Sequence, residues 1–165
     1  MNKIAIFYGS DSGNTEAAAT ELAQKLDADV YDVSNTSIDK ITEYSTLIFG
    51  TSTMGIGDLQ YDWEDFLESL DKADLTGKTV ALFGLGDADS YPDSFVDGMG
   101  TIYDTIVNKG CKVIGHVATD EYDFDESTAV VDGKFVGLPL DNDNEDNLTE
   151  SRIDSWVKQL KSEMN

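Results

Sequence analysis

Cysteine and histidine each occur once in this chain, as Cys111 and His116, and proline only twice. A lone cysteine closes no internal disulfide, and one histidine beside it falls short of the four ligands of a zinc site. No Ser–His–Asp, Cys–His or metal-ligand constellation can be assembled, so covalent and hydrolytic catalysis find no support. Long apolar runs are missing too, none approaching the ~18–20 residues that span a bilayer. The opening MNKIAIFYGSDSG has one lysine and a short apolar run before it turns polar, unlike a secretory signal. With the single thiol, this points to the cytoplasm. Positive charge is scarce: 11 Lys plus Arg face 33 Asp plus Glu, a formal net charge of -22. That disfavours nucleic acid and anionic membrane as partners.

What is present suits a globular fold. Forty per cent of the residues are hydrophobic and 10% aromatic, too many for a disordered acidic chain. A length of 165 residues suits one domain with a real core. The acids cluster: eleven lie between 120 and 150 against Lys134 alone, and seven between 58 and 74 against Lys72. They keep the surface solvated and offer a negative face that steers basic protein partners.

Strand and helix patterns alternate along the chain. KIAIFYG (3–9) is a short continuous apolar run, as in a strand buried on both faces. In TEAAATELAQKL (15–26), Ala18, Ala19, Leu22, Ala23 and Leu26 fall at helical spacing. Strands are predicted over 28–33, 46–52, 78–86 and 111–119, and helices over 62–70, 94–110 and 148–160. Gly110 is expected to end the third helix, and Thr149 to cap the last. Such alternation means a parallel sheet covered on both sides, with ligands beyond the C-terminal strand ends. The loops GSDSGNT, TSTMGIGDLQYDW and GLGDADSYPDSF therefore belong together. The stretch 120–140 interrupts the last strand before KFVGLPL resumes it.

The first loop precedes a helix, whose free N–H groups and dipole favour an anion. Ser10, Ser12, Asn14 and Thr15 add side-chain donors, and Gly13 permits close backbone approach, yet no cation lies between Tyr8 and Glu16. None is needed. A phosphate ~20 Å from a surface carboxylate feels only ~0.2 kcal/mol in water, while each hydrogen bond to a charged group is worth ~1.5–3 kcal/mol. The loop lacks the Gly-Lys-Ser/Thr ending of a Walker A motif and is not a Gly-x-Gly-x-x-Gly fingerprint. A monophosphate ester fits better. A phosphoacceptor receiver domain is also excluded, because Tyr8-Gly9-Ser10, Thr51-Ser52 and Ala118-Thr119 stand where its acids and lysine would.

Taken in order, these loops, with TDEYDF (119–124) and DNDNEDNLTESRIDSW (141–156), resemble the long-chain flavodoxins across almost the whole chain. The resemblance implies a single doubly wound α/β domain over 1–165. Its five-stranded parallel sheet would run in the order 2-1-3-4-5 with helices on both faces, and a long-chain insertion would fall at about 120–140 in the fifth strand. It implies FMN, with the phosphate held by Ser10, Asp11, Ser12, Gly13, Asn14 and Thr15, the Asp11 carboxylate turned outward. Ser52, Thr53 and Met54 would flank the flavin, and Tyr91 would stack on one face. Met54 stands where family members often carry tryptophan, and its contact with a ring is soft, roughly 0.3–1.5 kcal/mol. Gly55-Ile56-Gly57 would lie beside flavin N5, where the Gly55–Ile56 peptide turns over on reduction; glycine lowers the cost of the turned form.

Leu85, Gly86 and Asp87 would meet the pyrimidine edge, with Asp97 counted among the binding residues. A negative charge ~6 Å from the reduced flavin, at an effective dielectric of 20, opposes it by ~2.8 kcal/mol. The implied function is a low-potential one-electron carrier passing through a stabilised neutral semiquinone and hydroquinone. It would have no substrate of its own. Its partners would be redox proteins, such as a flavodoxin reductase or donor and acceptor oxidoreductases, docking on the acidic face of a monomer. The alternative is an FMN-dependent two-electron reductase of quinones or nitro compounds on the same fold. Trp63 is expected to pack under the loop, and neither Cys111 nor His116 is given a role.

Overall fold

A computed structural model describes residues 3–10 and 13–164. Its centre is a parallel sheet in which β1 (Ile4–Gly9) lies between β2 (Asp29–Asp32) and β3 (Thr46–Met54), and β3 pairs on its other side with β5 (Thr79–Leu85). Side chains alternate across each strand, so the same short runs feed two cores. Phe7, Phe49 and Leu82 point to the layer holding Trp63, Phe66 and Leu70 of α2 (Tyr61–Asp71) and Met99 and Ile102 of α3 (Asp97–Ile106). Ile6, Ile48 and Phe83 point to the other, which holds Ala19 and Leu22 of α1 (Asn14–Leu26) and Ile153 and Trp156 of α4 (Asn142–Glu163). Each such large apolar side chain contributes about 1.5–3 kcal/mol on burial. Gly50 of β3 is required by the fold, since a Cβ there would meet the Phe83 ring at 2.0 Å.

The fifth place in the sheet is filled by two pieces of chain. β6 (Lys112–Ile114) pairs with Thr79–Ala81, and β10 (Leu138–Leu140) pairs with Phe83–Leu85 along the same edge of β5. The expected order 2-1-3-4-5 is thus the observed one, with the last strand interrupted. The strand expected over 111–119 leaves the sheet at Gly115, whose φ is +82°. The chain then forms a small antiparallel sheet from β7 (Val117–Ala118), β8 (Val130–Val131) and β9 (Lys134–Phe135). Asp132 and Gly133, both with positive φ, make the two-residue turn between β8 and β9 that suits strand twist. Tyr122, Phe124 and Phe135 pack around Phe95 at centroid distances of 5.7–6.0 Å and so anchor this excursion to the domain.

The third and last helices differ from the sequence reading, and the third ends at Ile106, four residues before the expected stop at Gly110. The third helix begins at Asp97, because Val96 adopts a left-handed φ of 49°. The last begins at Asn142, six residues before the expected start. Asp141 caps it by accepting the Asn144 N–H at 3.1 Å, leaving Thr149 inside the helix, its hydroxyl donating to Asn142 Oδ1. Trp63 is fully buried beneath the strand ends, as expected. Among the described residues no helix is long and apolar enough to cross a membrane.

Candidate functional site

At the C-terminal ends of β1, β3 and β5 the three expected loops converge on a cleft of about 220 Å³. The first loop gives it Asn14 and Thr15, the end of β3 gives Ser52, Thr53 and Met54, and the stretch after β5 gives Leu85, Gly86, Asp87 and Tyr91. The fourth wall, Asn142 and Asp143 at the start of α4, was not singled out from sequence. Their signal was present in the 141–156 segment, but only the cap at Asp141 turns these residues inward.

Each wall is fixed locally. Gly13, with φ +91°, precedes α1, and no side chain among the described residues caps that helix. Its first N–H groups are thus available to an anion. The Gly13 N–H itself donates to Ser10 Oγ at 3.0 Å. Asp11 and Ser12 lie outside the described residues. Burial, and then the Glu16 carboxylate that accepts its hydroxyl proton at 3.1 Å, push Tyr8 up to about 12. Thr53 Oγ1 accepts the Gly98 N–H at 2.9 Å, pinning the end of β3 to α3.

Beyond it, Thr53 and Met54 pair with Leu59 and Asp58 of β4 (Asp58–Leu59), leaving Gly55, Ile56 and Gly57 as a hairpin tip. Gly55 and Gly57 have φ of +50° and +99°, and Ile56 is 83% exposed. Ser10, Gly13, this tip and Asp97 stand outside the cleft walls. Asp97 is occupied otherwise: Oδ1 accepts the Thr128 N–H at 2.8 Å. A Cβ on Gly57 would lie 2.9 Å from its Oδ2. Cys111 is half-buried, and that burial raises its thiol pKa, so it is no ready nucleophile.

The pyrimidine-edge candidates form an acidic corner. Oxygens of Asp87, Asp141 and Asp143 lie within 4.8 Å of one another. Burial pushes Asp87 up, but hydrogen bonds from the Ser90 N–H (3.0 Å) and Asn144 Nδ2 (2.9 Å) outweigh it and hold the carboxyl below its ordinary value. Asp143 is shifted the other way, by partial burial first and then by the charges of Asp87 and Asp141. A carboxyl with a raised folded-state pKa is penalised when ionised, and the penalty fades as pH falls through the raised value and is gone below the unfolded-state value near 4. Asp143→Asn is therefore expected to stabilise the ligand-free protein at pH 7. The gain is on the order of 0.5 kcal/mol, the scale of exposed charge pairs, or about 1–2 °C in Tm. Thermal melts at pH 7 and pH 3.5 check this: the gain should disappear at the lower pH, and a variant less stable than the parent at pH 7 would refute it.

A larger hollow of about 510 Å³ lies against the excursion, where Asp93, Asp125 and Glu126 in its lining would repel a phosphate. The cleft at the strand ends combines a free helix N-terminus with two large half-exposed side chains, Met54 and Tyr91 (39% and 40%). That pairing suits a flat aromatic ligand carrying a phosphate.

Comparison with known proteins agrees with this geometry. The flavodoxin family model matches residues 6–156. Flavodoxins of Synechocystis sp. (strain PCC 6803) and Helicobacter pylori are each 46% identical, over 98% of this chain and 97% and 98% of theirs. The crystal structure of Fusobacterium nucleatum flavodoxin bound to flavin mononucleotide superposes with a TM-score of 0.93 at 36% identity, covering 99% of both chains. With the doubly wound sheet and the three converging loops, these likenesses establish that the chain belongs to the flavodoxin family.

Proposed function

We propose that this protein carries single electrons on a non-covalently bound FMN, as one FMN-binding domain over residues 1–165. The observation that carries the reading is the cleft itself. Met54 and Tyr91 line it as half-exposed large side chains beside the open N-terminus of α1. FMN accepts an electron and a proton, then a second electron, and passes them on singly. The chain's part is to hold the cofactor and to bias those steps. The first loop, Ser10 to Thr15, takes the phosphate with backbone and hydroxyl donors. Met54 and Tyr91 enclose the ring, and the backbone of Leu85 to Asp87 meets its polar edge.

The hairpin tip is suited to a peptide that turns over. Gly55 already has positive φ, and the nearest atom to a Cβ placed there is Asp58 Oδ2 at 3.9 Å. Ile56 packs on little, so the Gly55–Ile56 peptide can rotate without opening the core. A carbonyl presented to N5–H by that rotation favours the neutral semiquinone. Asp87, held ionised by Ser90 and Asn144, opposes an anionic hydroquinone and sets a low second potential. Membership of the flavodoxin family supports a carrier rather than an enzyme. Acidic clusters around an exposed apolar rim suit docking of basic redox proteins on a monomer.

Anaerobic stepwise reduction of the FMN-loaded protein, followed by visible absorption, tests the reading. A blue neutral radical should accumulate at half reduction. Direct bleaching from yellow, with no radical, would refute the one-electron reading and favour a two-electron reductase.

A further inference from the structure

Helix α4 does not run unbroken from its cap. Glu145 has φ −134° and ψ 40°, so the ladder of the long arm does not hold the first turn, 142–144. Yet that turn provides the fourth wall of the cleft. One backbone bond, from the Glu145 N–H to the Asp141 carbonyl at 2.8 Å, and a set of side-chain contacts fix it. Asp141, 1% exposed, accepts the N–H of Asn144 on one oxygen and the N–H of Ala88 on the other, each at 3.1 Å. Asn144 Nδ2 reaches across to Asp87 Oδ1 at 2.9 Å. The turn is thereby tied to the stretch after β5, but at the cost of gathering Asp87, Asp141 and Asp143, which repel one another.

Glu145, at the break, has a cation of its own. Arg152, one of the few buried polar residues at 8% exposure, donates from Nη2 to Glu145 Oε1 at 3.1 Å and to the Glu121 carbonyl at 3.2 Å. Its guanidinium carbon lies 4.2 Å from the centroid of the Tyr122 ring, and the Tyr122 hydroxyl donates to the Pro139 carbonyl at 2.8 Å. The guanidinium is thus seated between the excursion and the helix, and it grips the side chain of the one residue at which the helix is broken. A lysine could supply the charge but neither the second donor geometry nor the stacking face.

We infer that Arg152 is a positioning residue for the cleft. By holding Glu145, it keeps the non-helical turn in the arrangement that presents Asn142 and Asp143 to the ligand and Asn144 to Asp87. The inference rests on the cleft being the FMN site proposed above. Its test compares the parent protein with Arg152→Lys, which keeps the charge, and Glu145→Gln, which removes the ion pair from the more exposed side. FMN affinity is read by quenching of flavin fluorescence, the second midpoint potential by reductive titration, and the turn directly by amide hydrogen exchange of the unliganded protein.

Both variants should bind FMN about tenfold more weakly, and the second potential should rise as the acids swing away from the ring. Exchange at Ala88 and Asn144 should quicken about tenfold while Ile48 and Leu82 stay protected. Parent-like affinity and potential in both variants would overturn the inference. So would a uniform loss of protection, which would mark Arg152 as a general stabiliser. Failure of the parent itself to bind FMN would instead refute the proposed cofactor, leaving the exchange pattern to judge the lock separately.

Discussion

Gly137→Ala is expected to destabilise the protein by at least about 3 kcal/mol, the range reserved for core overpacking and backbone conflict. A Cβ at this position would lie 2.0 Å from the carbonyl oxygen of Leu82 and 2.6 Å from its carbon. These are backbone atoms of the strand β5, and no rotamer change relieves the clash. The chain must move away from β5 just where Leu138–Leu140 rejoins it. Leu138 and Leu140, 2% and 0% exposed, would give up burial worth about 1.5–3 kcal/mol apiece if the pairing were lost. At about 2–4 °C per kcal/mol for a chain of this size, Tm should fall by roughly 10 °C. Because Asp141 follows directly, FMN affinity should fall with it. A thermal melt within a degree of the parent would show that the edge can shift without loss.

Trp63→Ala should cost about 3–5 kcal/mol, as for large aromatic truncations in cores. The indole is fully buried, packs edge-on against Phe49 and Phe66 at 5.6 and 5.4 Å, and donates to the Gly50 carbonyl at 2.8 Å. It also sits under the end of β1, where a Cβ on Gly9 would meet its Cδ1 at 2.7 Å. The cavity would therefore open directly below the first loop. Trp63→Phe keeps most of the packing and gives up the indole hydrogen bond, for a smaller cost of about 1–2 kcal/mol. Urea denaturation distinguishes the two: the midpoint should fall steeply for alanine and modestly for phenylalanine, with similar slopes. Equal midpoints for both variants would mean that the ring volume is not what supports the loops.

What could be read in advance followed from local pattern. The runs 3–9, 46–52 and 78–86 are apolar on both faces because the sheet is covered on both faces, and Ala18 to Leu26 mark a helix by spacing alone. The three loops were legible because small residues and glycines cluster at strand ends, and the cleft draws on all three. The interruption of the last strand was legible as well, KFVGLPL resuming it where β10 rejoins β5 beyond β6. The side-chain geometry at the start of α4 was not. The 141–147 stretch looks like an acidic loop, and its helical turn shows only once Asp141 is seen accepting the Asn144 and Ala88 N–H groups. The contact of Asp97 was likewise hidden: Oδ1 accepts the Thr128 N–H, from a segment thirty-one residues away.

The bare rim has a colloidal consequence. Ile56 and Tyr61 are 83% and 76% exposed, close in sequence to Met54, and such a concentration of apolar surface ordinarily invites copies of a protein to adhere. Here every encounter between copies is an encounter between bodies of charge -22. At physiological ionic strength, screening extends over about 8 Å, shrinking to about 3 Å in molar salt. Mutual repulsion in dilute salt thus does the work that a covering segment would do elsewhere. Such repulsion opposes self-association and does not act against a surface of opposite sign.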